Sequence, residues 1–178
     1  RRPPRNTLFP YTTLFRSEKC LFFKADDQGR NHASLLSIFI EESLQQLHAL
    51  KLSLHAVAVS SGPGSYTGLR IGVSTAKGIC YALDIALISI NTLDILACQA
   101  IAQTTVNEKV LVVPMIDARR MEVFNAVYDH NMNPVRNAQA EVLHPESFQS
   151  FLANHIVYFS GDGAPKFREI TDHENARF

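Results

Sequence analysis

The chain carries no net charge: 17 Lys and Arg balance 17 Asp and Glu over 178 residues. Four of the arginines, Arg1, Arg2, Arg5 and Arg16, lie in the first seventeen residues, and the remainder is slightly acidic. That balance lacks the basic footprint of a protein that grips nucleic acid unaided. Cysteine is scarce as well. Cys20, Cys80 and Cys98 are odd in number and lie far apart, which excludes a disulfide framework and a zinc site of ordinary spacing. All three are expected as buried thiols in a reducing compartment. No apolar run reaches the length of about eighteen residues that a membrane helix needs, so no span is expected. Internal repeats and low-complexity tracts are missing too. What is there is 46% hydrophobic, an ordinary globular composition. The length suits one domain or two small lobes.

Along the chain, Cys20–Lys24 reads as a strand and Asp26–Gly29 as a turn. A helix is expected from Asn31, a good cap, with Leu35, Leu36, Phe39, Ile40, Leu44 and Leu47 at helical spacing. Leu54–Ser60 is the next strand, Ala86–Ser89 a short one, and Thr92–Gln103 a helix with Thr92 as its cap. Val110–Ile116 is strongly β-branched and pairs as a hairpin with Val123–Tyr128. Asn131–Pro134 is a turn. Pro145 opens a helix through Phe148, Phe151 and Leu152. Ile156–Ser160 is a last strand before Gly161-Asp162-Gly163-Ala164. A break at 103–109 divides a first lobe from a second.

The most informative stretch is Gly62–Lys77, Gly-Pro-Gly-Ser-Tyr-Thr-Gly-Leu-Arg-Ile-Gly-Val-Ser-Thr-Ala-Lys. An apolar strand leads in and a small-residue helix leads out. Gly68, Gly72 and Ala76 recur every four residues, so they form a smooth stripe on one helix face. Such a stripe lets another helix approach closely. The glycine turn also suits an anion, since backbone N–H groups are exposed at a helix N-terminus. Gly62, Gly64 and Ser65 are the candidates there, with Gly161 and Gly163 as a second turn facing a nucleotide or serving only as a loop. Neither familiar phosphate fingerprint fits. Leu69-Arg70 follows Gly68 where a P-loop has Lys and then Ser or Thr, and one residue too many separates Gly64 from Gly68 for the dinucleotide motif. His32 has Leu35 and Leu36 where a second metal ligand would stand, and the other histidines show no ligand spacing. No Gly-x-Ser-x-Gly elbow is present. Asp117-Ala118-Arg119-Arg120 reads as a charged turn or as an anion contact.

Gly62–Gly72, followed by Ala76-Lys77-Gly78, resembles the signature of the TsaB family, formerly called YeaZ. His32-Ala33-Ser34, Asn91-Thr92-Leu93, Pro114–Arg120 and Gly161–Ala164 follow in the family's order. The resemblance implies an α/β chain of the actin-like ATPase (ASKHA, ribonuclease H-like) fold, with two lobes of mixed sheet and helices. It implies a cytoplasmic, non-catalytic subunit that binds and activates a TsaD-type catalytic subunit in tRNA threonylcarbamoyladenosine biosynthesis, at the adenosine next to the anticodon. The alternative is a glycoprotease-like metallopeptidase or a nucleotide-dependent enzyme of the same fold. Pairing with the TsaD-type subunit is implied through the helices Asn31–Leu50 and Gly68–Leu83. Leu36, Phe39, Ile40, Gly68, Gly72 and Ala76 are then the interface residues. A TsaE-type ATPase completes the larger complex, tRNA is an indirect partner, and self-association uses much the same surface. No metal or cofactor is assigned to this chain, and ATP is a candidate ligand only of the assembled complex.

Residues 1–17 resemble something else: Thr7–Ser17 match, residue for residue, the conceptual translation of a sequencing adapter. That segment is therefore expected to be non-native and outside the fold. The first lobe is expected over 18–103, partial and without its opening strands, and the second over 104–178, also partial.

Overall fold

The computed structural model describes residues 11–16, 19–25, 32–104 and 109–178. The turn expected at Asp26–Gly29 and the Asn31 cap lie outside the described residues. The chain divides into two compact units. One runs to Ser60 and includes Ser65–Ser89; the other is Ser61–Gly64 with Ile90–Phe178.

In the first unit β1 (Tyr11–Arg16) pairs antiparallel with β2 (Lys19–Ala25). The expectation left residues 1–17 out of the fold, yet Tyr11–Arg16 form a strand and Leu14 is buried. The alternation Leu14-Phe15, one residue in and one out, suffices to seat a β-ribbon edge whatever its origin. Helix α1 (His32–Ala49) packs on this ribbon and buries Phe39 and Leu47. Lys24 bridges to Glu42 at 2.8 Å. Next come β3 (Ala56–Ser60), α2 (Tyr66–Leu83) and β4 (Ala86–Ile90), with β4 bonded to β3. Helix α2 starts two residues before Gly68 because the Ser65 hydroxyl caps it, accepting from the Gly68 amide at 3.4 Å. It stops at Asp84, which takes a left-handed backbone (φ 50°).

The second unit begins with α3 (Thr92–Gln103). The sequence reading put this helix in the first lobe. It belongs to the second because Leu93 and Ala97 are fully buried against Val112, Ile116, Ala126 and Tyr128. Its cap is Asn91, not Thr92: the Asn91 carboxamide accepts from Leu93 N at 2.8 Å. Then follow β5 (Val110–Asp117), β6 (Glu122–Tyr128), β7 (Pro134–Val142), α4 (Gln149–Leu152), β8 (Ile156–Ser160), α5 (Ala164–Arg168) and β9 (Ala176–Arg177). The sheet order is β7-β6-β5-β8-β9, antiparallel from β7 to β5 and parallel from β5 to β9. Helix α3 covers one face. Phe148, Leu152, Ala164 and Phe167 cover the other with Leu111, Val113 and Met115. Both faces of β5 are therefore covered, which explains its uninterrupted apolar run.

Pro145 does not open a helix; only the single turn Gln149–Leu152 is helical, after Phe148 in a left-handed conformation (φ 66°). Cys80 is buried as expected, but Cys20 and Cys98 are exposed, each on the outward side of its own element. No helix among the described residues is long and apolar enough to cross a membrane.

Candidate functional site

The face proposed from sequence for partner binding lies on α1 and α2, which touch each other within the first unit. The structure distributes its six residues unevenly. Phe39 and Ala76 are turned inward and are only 5% exposed. Leu36, Ile40 and Gly72 are half-buried, and Gly68 is exposed. A Cβ added at Gly72 meets Val59 of β3 at 3.9 Å, so this glycine faces its own sheet. The stripe of small residues thus runs from the surface at Gly68 into the core at Ala76, because a spacing of four drifts around the helix axis. Phe39 and Ala76 are core residues of this unit.

The outward face of α2 is formed instead by Tyr66, Arg70, Ser74, Lys77, Gly78 and Tyr81. Tyr66 is 73% and Tyr81 93% exposed. The Arg70 guanidinium lies 5.4 Å from the centre of the Tyr66 ring. A Cβ added at Gly78 meets nothing within 4 Å. A glycine in mid-helix costs about 1 kcal/mol against alanine. At Gly78 no contact among the described residues accounts for it. Leu83 on α2 and Ile38 and Leu44 on α1 are also exposed.

The glycine turns have work inside their own unit. Gly62 is buried with φ 102°, and its carbonyl accepts from Thr92 N at 2.9 Å. Gly161 has φ 92°, and a Cβ there would stand 2.2 Å from the Met115 carbonyl oxygen. A Cβ at Gly163 would also be crowded, 2.9 Å from Val123 Cγ1. The Gly163 amide donates to the same Met115 carbonyl at 3.2 Å. These two glycines let the turn after β8 lie directly on β5. Gly64 is half-buried, and Ser65 is the α2 cap.

Sequence spacing did not link Asp117 with Asp162 and Lys166. Asp117 N donates to Asp162 Oδ1 at 3.0 Å, and Lys166 Nζ donates to Asp117 Oδ1 at 2.7 Å. The Lys166 hydrogen bond holds the Asp117 carboxyl below its usual range, aided by the Arg119 amide and opposed by burial. Beyond it, Arg119 (φ 74°) and Arg120 (φ 48°) form the exposed hairpin tip. Among the described residues no group of three His, Cys, Asp or Glu is placed to hold a metal.

A second pair also escaped sequence reasoning, since 34 residues separate its members: the Tyr128 hydroxyl donates to Asp94 at 2.5 Å. Burial, and then this carboxylate, push the phenol well above its ordinary range. The unfolded chain releases that proton near pH 10, while the folded one keeps it. The Tyr128 contribution is therefore complete below pH 10 and is lost as pH rises above it. We expect the phenolate absorbance of Tyr128, taken by difference from Tyr128→Phe, to rise only together with alkaline unfolding. A rise near pH 10 in the folded chain would contradict this.

A family model described as TsaD, tRNA N6-adenosine threonylcarbamoyltransferase, matches residues 26–172. The chain belongs to this family. Among its curated relatives is the tRNA threonylcarbamoyladenosine biosynthesis protein TsaB of Bacillus subtilis (strain 168), 32% identical over 57% of this chain and 42% of that protein. TsaB of Escherichia coli (strain K12) is 30% identical over 66% of this chain and 50% of its own length. The chain spans about half the length of the curated relatives it matches. A crystal structure of an uncharacterized Pseudomonas aeruginosa protein, described as similar to peptidase YEAZ, has a TM-score of 0.73 at 24% identity, covering 94% of this chain and 77% of that one. YeaZ from Pseudomonas aeruginosa also gives 0.73, at 21% identity, covering 94% of this chain and 78% of its own. These neighbours and the family model fit the actin-like, ribonuclease H-like fold. Both of these curated relatives carry the TsaB name, and both solved neighbours share the fold of this chain.

Proposed function

We propose that this family member acts in tRNA threonylcarbamoyladenosine biosynthesis as a non-catalytic subunit that binds and activates a TsaD-type catalytic subunit. The pathway is supported by the names of the relatives and by the family match. The observation that carries the binding role is the outward face of α2, where Tyr66, Arg70 and Tyr81 are exposed on the same side as Gly78, at which an added Cβ meets nothing within 4 Å. Exposed aromatic residues and arginine are the side chains that dominate protein interfaces. A glycine between them lets a partner helix come close. The proposed partner surface is therefore the side of α2 turned away from Gly72 and Ala76, with the exposed Gly68 at its border. Self-association by the same face, a TsaE-type third component, tRNA as an indirect partner and a cytoplasmic site of action belong to the same proposal.

The test is light scattering of the chain mixed with a TsaD-type subunit. The wild-type chain is expected to form a complex of summed mass. Gly78→Leu is expected to weaken it by about 100-fold, the equivalent of roughly 2.7 kcal/mol of lost packing. Folding stays intact in that variant, because leucine is a better helix former than glycine. Gly72→Leu is a poorer choice, since its side chain strikes Val59 and perturbs the unit itself. A complex undiminished by both Gly78→Leu and Tyr81→Ser would refute the role of this face.

A further inference from the structure

The second unit holds a cavity of about 420 Å³ that the partner face does not use. It opens where β6 ends, β7 begins and α3 starts. Asn91, Asp94, Tyr128 and Asn137 are its polar lining, and Met132 and Pro134 form an apolar wall. The strand register makes room for it. Asn125 pairs with Gln139 but Val127 pairs with Arg136, so two β7 residues, Asn137 and Ala138, stand against Ala126 alone. A bulge of this kind re-aims side chains out of the ladder, and both residues line the cavity.

The chemistry of the lining is one-sided. Tyr128 occupies Asp94 Oδ1, while Asp94 Oδ2 has no partner among the described residues. Asn91 uses its oxygen to cap α3, and the Asn137 carboxamide makes no bond among them. Among the described residues no Lys, Arg or His lines the cavity. An anionic ligand would meet a carboxylate and no cation, whereas a cation finds a charged acceptor beside an apolar wall. We propose that this cavity binds a small free alkylamine, its ammonium on Asp94 Oδ2 and the Asn137 side-chain oxygen, its stem along Met132 and Pro134.

The probe is n-butylammonium, titrated into the whole chain and followed by amide NMR shifts over residues 128–138. Saturable shifts are expected, at least about tenfold tighter than with butyrate or 1-butanol. Asp94→Asn keeps an oxygen for the Tyr128 hydroxyl and is expected to weaken binding by about tenfold or more. Ala138→Leu fills the cavity without changing its charge and is expected to abolish binding, which keeps the test open if Asp94→Asn disturbs the helix start. The proposal is overturned by the absence of saturable shifts in the wild-type chain. Equal responses to the amine, the acid and the alcohol overturn it too, as does a response undiminished in both variants. If Asp94 only anchors Tyr128, one of those results follows.

Discussion

Gly161→Ala is expected to destabilise the second unit by about 3 kcal/mol or more, combining a left-handed backbone with a steric collision. A methyl group at this position lies 2.2 Å from a backbone oxygen, that of Met115, and 3.4 Å from Leu96 Cδ1. The oxygen belongs to the central strand and cannot swing aside as a side chain does. Relief requires the turn to lift off β5, which breaks the bond from Gly163 N to the Met115 carbonyl. For a unit of this size the melting temperature falls by roughly 15 °C. The result also separates two readings of this turn. Were Gly161 only an approach point for a nucleotide, alanine would weaken a ligand and leave the melting temperature within a degree or two. Calorimetry of the variant decides between them.

Phe167→Ala is expected to cost about 3–5 kcal/mol, the range for removing a fully buried aromatic side chain. The ring is completely inaccessible and packs edge-on to Phe148 at 5.3 Å and tilted to Phe159 at 4.8 Å. It is also the main anchor of α5, a helix of only five residues that is too short to persist unaided. Losing it frees Lys166, so the Asp117 ion pair at 2.7 Å goes as well. We expect two readouts, a large fall in chemical-denaturation midpoint and an Asp117 NMR titration that returns toward the ordinary carboxylate range. Phe167→Leu keeps most of the buried volume and is expected to show less than half the loss. Equal losses in the two variants would point away from ring packing.

Elements whose signal is local were legible before any coordinates. Helix α1 follows from its apolar spacing, β5 from its β-branched run, and β6 from the hairpin with it. The strand–turn–helix at Ala56–Leu83 follows from an apolar run meeting a glycine turn. Strand β7 was not legible. Pro-Val-Arg-Asn-Ala-Gln-Ala-Glu-Val begins with proline, lacks alternation and is mostly exposed. It is a strand because β6 offers it an edge, and because Arg136 reaches Asn125 at 2.5 Å and Glu141 at 2.9 Å while lying over Phe148 at 4.6 Å. None of these contacts has a fixed sequence spacing. Helix α5 is likewise held by its single buried phenylalanine and not by propensity. The extent of α3 was read correctly and its allegiance wrongly, since a helix periodicity says which face is apolar and not which sheet will cover it.

For the proposed partner face, the sequence by itself determined that α2 carries small residues at intervals of four and that the glycine signature resembles one family. The tertiary structure alone decided which side of that helix meets the chain's own β3 and which meets solvent. Gly68 stayed at the surface while Gly72 and Ala76 turned inward for a plain reason: residues four apart advance 400° around the axis, 40° more than one turn, so a stripe drifts off any fixed face within three steps. The same division holds in the second unit. Its glycines were visible as turns, but only packing against Met115 and Val123 shows that they are small because backbone and core leave no room for a side chain.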